Sequence, residues 1–246
     1  MTPKIEHAIV LAAGLGKRLK PITDHSPKCL TEVNRTPILV NTLENLSAIG
    51  ISNCTIVIGY LSEKIVQTIG KNFCGVNVHY IENSIYDSTN DMYSLWLACE
   101  TLDKGAIIFE GDVFLRPDTL ERALTSMGER SFYIAGRYNG KADEVIIKTD
   151  SKLLIRSIDV SWGRGKPPGN YTFMSSGILA VHSGYGKRLS KWLEDWVREK
   201  KVNFLFDDVL SQYVGSHSLW VYEIRWDEWV EIDTAEDLKR AEALFM

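Results

Sequence analysis

Two glycines, four basic side chains and two prolines follow an apolar run in LAAGLGKRLKPITDHSPKCL, residues 11 to 30. Gly14 and Gly16 let backbone N–H groups turn toward an anion with no Cβ in the way, while Lys17, Arg18, Lys20 and Lys28 bring positive charge to the same place. That combination predicts a loop that grips a small anion such as a phosphate. Neither familiar phosphate fingerprint is present. A Walker A loop needs Gly at the position of Leu11 and Ser or Thr at that of Arg18, and a dinucleotide fingerprint needs Gly where Leu19 stands. A strand-to-helix turn whose charges merely face solvent is the plainer alternative.

Two acids offer the complementary chemistry. In FEGDVFL, Asp112 follows an apolar strand and a glycine, so its carboxylate falls at the carboxyl edge of a strand, where open α/β sheets hold their ligands. In EIDT, Asp233 stands between a strand end and a helix start. Each has an ordinary use as well, Asp112 as a turn residue and Asp233 as an N-cap. Glu110 precedes Asp112 by two positions and shares its face if the strand runs that far. The five histidines are scattered, and no Ser/His/Asp or Cys/His arrangement emerges. Transfer to phosphorus needs positioning and charge neutralisation rather than a covalent nucleophile, and these residue types suit it.

Such residues must be held by a scaffold, and the hydrophobic periods supply one. HAIVLAA reads as a buried strand, PILVNTLENLSAIG as a helix between Pro37 and Gly50, CTIVIGY as a strand, residues 62 to 73 as a helix and VNVHYIEN as a strand. A helix falls within NDMYSLWLACETL, and AIIFEGDVFL is expected as one fourth strand. This βαβαβαβ order predicts a Rossmann-like three-layer α/β/α fold with a mostly parallel, mixed central sheet. Further on, EVIIKTD and LLIRSIDV are expected as a hairpin about Ser151 and Lys152, followed by a strand in YTFMSSGILAVH. Helices over 184–201 and 203–214, a strand in LWVYEIRW and a helix in TAEDLKRAEALFM, capped by Thr234 and Asp237, complete the pattern. No repeat or linker divides the chain, so 1–246 is expected as one domain of two halves, 1–120 and 121–246.

Composition narrows the function classes. At 246 residues and 45% hydrophobic, the chain can bury a full core. Lys and Arg total 28 against 32 Asp and Glu, a net charge of −4 that argues against broad nucleic-acid binding. AIVLAAGL is too short for a membrane span and has no basic region before it, so no membrane insertion and a cytoplasmic location are expected. Cys29, Cys54, Cys74 and Cys99 lack CxxC pairing and metal-ligand spacing, so reduced thiols are expected.

The series L-x-A-G-x-G-x-R, P-x-T and P-K, running from Leu11 to Lys28, resembles the signature of the nucleotidyltransferase superfamily that includes sugar-1-phosphate nucleotidylyltransferases, with its GT-A-like fold. The resemblance implies that the backbone of Leu11, Ala12, Ala13, Gly14 and Gly16 approaches a nucleotide, that Arg18 grips the β- and γ-phosphates, and that Lys28 stabilises charge around the α-phosphate. Lys17 departs from the Ser or Thr frequent there. The same resemblance implies a Mg²⁺ ion held by Asp112 and Asp233. The glycine-rich G-T-A segment of the sugar-specific members is missing. Asn83, Tyr86, Asn90, Tyr93, Ser94 and Leu95 instead match N-x-x-Y followed by N-x-x-Y-S-L, similar to bacterial choline-phosphate cytidylyltransferases and cytidylyltransferases acting on phosphonates. The F-x-x-D stretch at Asp207 and the EID-x-x-x-D stretch of residues 231 to 237 occur in matching order.

The resemblance thus implies transfer of CMP from CTP to phosphocholine, phosphoethanolamine or a 2-aminoethylphosphonate-type acceptor. Asn90 and Ser94 are expected at the nucleotide, and Tyr86, Tyr93, Glu144, Trp162, Asp207 and Trp229 around the acceptor, where rings and carboxylates would suit an ammonium group. WGRGKPPGNY is expected as a lid or a plain surface loop. A sugar-1-phosphate nucleotidylyltransferase and a non-catalytic nucleotide-binding regulatory subunit stay open as alternatives, as does assembly into a homodimer.

Overall fold

The computed structural model describes residues 5–140, 145–160 and 171–246. The first apolar run forms β1 (His7–Ala12), and three 3₁₀ turns, Lys17–Leu19, Ile22–Asp24 and Lys28–Leu30, carry the basic loop away from its end. A ribbon of β2 (Glu32–Val33) and β3 (Thr36–Pro37) leads into α1 (Ile38–Ala48), followed by β4 (Asn53–Ile58), α2 (Ser62–Ile69), β5 (Asn72–Phe73) and β6 (Val76–Glu82). Next come α3 (Asp91–Leu97), α4 (Cys99–Leu102), β7 (Gly105–Glu110), β8 (Val113–Leu115), α5 (Thr119–Met127) and β9 (Phe132–Arg137). The remainder comprises β10 (Ile146–Thr149), β11 (Ile155–Asp159), β12 (Thr172–His182), α6 (Ser183–Arg198), α7 (Phe206–Tyr213), β13 (Trp220–Ile224), β14 (Trp229–Glu231) and α8 (Ala235–Leu244).

The strands assemble a mixed sheet in the order β11-β10-β12-β7-β1-β4-β6-β5, with β9 on the other edge of β12 and β13 beside β9. Its centre is parallel, because β1 pairs β4 and β7 in the same direction and β4 pairs β6 likewise. β12 runs antiparallel to β7 and joins the second half. Alternation along β1 explains the layers. Ala8, Val10 and Ala12 pack toward α1, α2 and α5, while Ile9 and Leu11 pack toward α3, α4, α6 and α7. Strands covered on both faces must be apolar throughout, as β1 and β7 are. The chain leaves β1 toward β4 on one side and reaches β7 on the other, so a crevice opens where the order reverses, at the carboxyl ends of β1 and β7.

Four local expectations are corrected. The helix expected over 62–73 stops at Ile69, because Gly70 takes φ 72° and turns the chain into β5. AIIFEGDVFL is two strands rather than one: Gly111 and Asp112 turn the chain after β7, and β8 leaves to pair with β14. In NDMYSLWLACETL two short helices replace one. β9, an apolar run in SFYIAGR with no alternation to announce it, adds a strand that the periodic reading passes over.

Candidate active site

The basic loop is built rigidly. Gly16 sits in the left-handed region at φ 60°, and a Cβ there would lie 3.0 Å from Lys28 Cβ and 3.0 Å from Thr23 Cγ2. Thr23 Oγ1 donates to the Gly16 carbonyl at 2.8 Å, and Tyr60 OH donates to the carbonyls of Thr23 and Asp24 at 3.1 Å. The turn therefore folds back on itself and aims Arg18 and Lys28 at one crevice. The end of β1 is equally crowded. A Cβ on Gly59 would come within 2.8 Å of the Ala13 carbonyl and 2.9 Å of Tyr86, and one on Gly111 within 2.7 Å of the Leu11 carbonyl.

Strand pairing brings the distant acids to this loop. β8 and β14 are antiparallel, with Val113 opposite Glu231, and the Ile232 N–H donates to the Asp112 carbonyl at 3.0 Å. Asp233 is fixed in turn by the start of α8, where the Asp237 carboxylate accepts from the Thr234 N–H at 3.0 Å and the Asp237 N–H donates to Thr234 Oγ1 at 3.2 Å. This reciprocal cap holds the backbone just after Asp233. The result is a tight cluster: Lys28 Nζ lies 2.5 Å from Asp112 Oδ2 and 2.5 Å from Asp233 Oδ1, and Arg18 Nη2 reaches Asp233 Oδ1 at 2.7 Å. Burial alone would lower the pKa of the Lys28 ammonium, but Asp112 and Asp233 outweigh it and hold the group above its ordinary value.

Carboxylate oxygens of Glu110, Asp112 and Glu231 lie within 4.8 Å of one another. Asp112 Oδ1 is buried with no hydrogen-bond partner among the described residues. A set of hard oxygen donors with one orphaned atom fits a divalent cation of the Mg²⁺ or Mn²⁺ kind. The cluster differs from the sequence expectation in one respect: Glu231 stands beside Asp112 in it, while Asp233 is engaged by Arg18 and Lys28.

A cavity of about 600 Å³ extends from this point between the basic loop, the start of α3 and the start of α7. Its α3 and α7 side is acidic, contributing Asp91 and Asp207, with Glu110 of the carboxylate cluster next to them. Burial, reinforced by Glu231 and Asp112, pushes the Glu110 carboxyl well up, and burial together with Asp207 does the same to Asp91. Asp207 is pushed up to about 7 by burial, although Tyr133 OH donates to its Oδ1 at 2.5 Å and partly offsets the effect.

Leu11 through Gly14, with Gly16, Lys17, Arg18 and Lys28, all line this cavity, as do Asn90, Ser94, Asp112, Asp207, Asp233 and Tyr86. Asn90 caps α3, its Oδ1 accepting from the Asp91 N–H at 2.9 Å. Ser94 Oγ accepts from the buried Asn83 amide at 3.1 Å. Two expected acceptor residues do not line the cavity. Tyr93 packs against the Trp96 ring at 5.2 Å, and Trp229 is buried in the core over Gly136 and stacked on Trp226 at 5.6 Å. Glu144, Trp162 and most of the expected lid fall outside the described residues. Sequence reasoning passed over Asp91 as a cavity acid and Glu231 as a partner of Asp112, although NDMYSL and EID each display one beside a residue that was singled out.

A family model described as nucleotidyl transferase matches residues 7–244. The chain belongs to the nucleotidyl transferase family. Relatives of this nucleotidyl transferase include a CMP-5'-(3-aminopropyl)phosphonate synthase from Streptomyces rubellomurinus, 30% identical over 242 residues, which cover 97% of this chain and 38% of that protein. A 2-aminoethylphosphonate cytidylyltransferase from Lancefieldella rimae is 28% identical over 239 residues, 94% of this chain and 90% of its own length. The chain thus spans well under half of the first relative and nearly all of the second. Among solved structures, the CTP:phosphocholine cytidylyltransferase from Streptococcus pneumoniae matches with TM-score 0.82 at 24% identity, over 98% of this chain and 100% of that one. At that identity the likeness speaks for the fold, and the expected Rossmann-like α/β architecture is the one observed. No helix among the described residues of this nucleotidyl transferase is long and apolar enough to cross a membrane.

Proposed function

We propose that this nucleotidyl transferase moves a cytidylyl group from CTP to a small acceptor bearing a phosphate or phosphonate and an amine, of the 2-aminoethylphosphonate, phosphoethanolamine or phosphocholine type, releasing pyrophosphate. The reading rests above all on the meeting of Arg18 and Lys28 with Asp112 and Asp233 at one cavity mouth. A triphosphate laid along Gly14 to Arg18 would present its anionic oxygens to backbone N–H groups and to both basic side chains. An acceptor oxygen would then attack the α-phosphorus in line, with Lys28 and Arg18 neutralising charge as pyrophosphate leaves. Asp112 and Asp233, with Glu110 and Glu231 nearby, are the residues that would hold Mg²⁺, which when bound supplies further charge neutralisation on phosphate oxygens.

The acidic side of the cavity supports an amine on the acceptor. Asp91 and Asp207 are carboxyls whose pKa values are raised chiefly by burial, and an ammonium group entering beside them would offset that desolvation. A neutral hexose ring offers no such relief. The names of the two relatives above, both involving aminoalkylphosphonates, favour the same chemistry.

A matrix of four nucleoside triphosphates against 2-aminoethylphosphonate, phosphoethanolamine, phosphocholine and hexose-1-phosphates, read by pyrophosphate release, tests the proposal. CTP with an amine-bearing acceptor is expected to be fastest. Preference for UTP or dTTP with a hexose-1-phosphate would favour the sugar-nucleotide alternative, and no release in any cell would favour a nucleotide-binding subunit.

A further inference from the structure

We infer that Lys28 holds the divalent-cation position in the nucleotide-free protein, and that a bound triphosphate draws its ammonium off the two aspartates so that the metal takes its place. The inference rests on the proposed nucleotidyl transfer only in assuming that a triphosphate and a divalent ion enter this cavity. Its basis is geometric. One ammonium bridges Asp112 Oδ2 and Asp233 Oδ1 at 2.5 Å each, so it fills the gap between two carboxylates that would hold a divalent ion. Metal–oxygen distances of about 2.0–2.6 Å leave no room for a lysine and an ion between the same pair of oxygens. The two cations therefore exclude each other.

The surroundings allow the exchange. The stem of Lys28 is fixed, because it follows Pro27 into the 3₁₀ turn Lys28–Leu30 and packs where Gly16 lacks a Cβ. Its ammonium ends a flexible four-carbon chain and can move without the backbone following. Among the described residues Asp112 Oδ1 is buried and unpartnered while Lys28 occupies the other oxygen, so the lysine satisfies this acid incompletely. A divalent ion with its larger charge and coordination number could use the orphaned oxygen as well. The side chains of Lys28 and Asp112 are 16% and 14% exposed, so leaving Asp112 without a cation is unfavourable and one cation must replace the other, while Arg18 still pairs with Asp233. Triphosphate oxygens offer Lys28 an alternative partner. Metal and nucleotide then assist each other's binding by a reciprocal coupling routed through this side chain.

The test uses Mn²⁺ alone, titrated into wild type, Lys28→Met and Arg18→Met by calorimetry and paramagnetic resonance without nucleotide. Lys28→Met is expected to bind Mn²⁺ at least about tenfold more tightly than wild type, within the usual range of coupling between sites. Arg18→Met removes the same charge from a side chain that is 55% exposed, and is expected to change affinity much less. Thermal unfolding supplies a second readout. Lys28→Met should melt below wild type without metal and recover with millimolar Mg²⁺, to which wild type responds weakly. If Lys28→Met does not fold, Lys28→Gln keeps the length of the stem without the charge and is expected to behave likewise. Unchanged Mn²⁺ affinity in the Lys28 variant, or an equal gain in Arg18→Met, overturns the exchange. Neither readout involves acceptor or turnover, so loss of the cytidylyl-transfer reading leaves this result standing, and the reverse is also true.

Discussion

At Lys28 a single ammonium answers two carboxylates far apart in the sequence, Asp112 and Asp233, and the same group is proposed to meet charge developing on a phosphate. Lys28→Ala is therefore expected to lower turnover by about 10²–10³, the loss typical of deleting one preorganised charge stabiliser, while circular dichroism stays native. Near-normal pyrophosphate release would contradict that role. Asp112→Asn removes a charge but keeps the shape, and is expected to raise the Mg²⁺ concentration needed for half-maximal rate; an unchanged metal dependence would refute the assignment. These residues were legible in the sequence because their types and spacings are local, with two glycines, Arg18 and Lys28 within one loop. Glu231 was not. Its place beside Asp112 depends on the pairing of β8 with β14, which no spacing along the chain encodes. Trp229 misled for a related reason: its ring was expected at the acceptor, yet Gly136 leaves a slot in β9 that takes it into the core.

Among the elements, the site depends on how closely β1 and β7 end beside each other. Gly111 follows β7, and any Cβ there would meet the Leu11 carbonyl at 2.7 Å, a backbone atom that cannot swing away. Gly111→Ala is thus expected to destabilise the protein by about 1–3 kcal/mol, the usual range for overpacking, and to lower activity more than stability alone explains, because Asp112 is the next residue. Urea unfolding beside a rate measurement checks both parts. Gly177, at φ 73°, plays a related part under Glu110, whose Cβ would lie 3.2 Å from an added methyl. The register of β12 against β9 shifts between Ser175 and Ile178 at this point. The main strands and helices were readable because β1, β4 and β7 are largely apolar runs and β6 alternates, with helical periods between them. β9 was not, since a short apolar run without alternation fits more than one element.

For the whole molecule, the buried acid group makes stability depend on pH. Asp207 titrates near pH 7 in the folded state against about 3.9 in an unfolded chain, so between those values the folded protein binds more protons than the unfolded one. Stability attributable to Asp207 is then fully present below pH 4 and is lost as pH rises through 7. Asp91 and Glu110, both raised by burial first, act in the same direction. Asp207→Asn, which can still accept from Tyr133 OH, is expected to flatten the decline in melting temperature between pH 5 and pH 8 and to be the more stable variant at the upper end, a comparison that calorimetric melting across that range makes directly. The overall arrangement of layers followed from the βα alternation. The acidic side of the cavity did not, because it forms only when the starts of α3 and α7 meet, with the Phe206 N–H donating to Asp91 Oδ1 at 2.8 Å across the intervening chain.

Cytidylyl transfer at the shared mouth of these elements is most directly tested by following two labels in one reaction with 2-aminoethylphosphonate or phosphocholine and Mg²⁺. CTP labelled at the α-phosphorus should deliver its label to the acceptor conjugate, CTP labelled at the γ-phosphorus should deliver it to pyrophosphate, and both transfers should fail together in Lys28→Ala. Retention of the α-label in CTP, or its release as free CMP with no conjugate formed, would contradict the account.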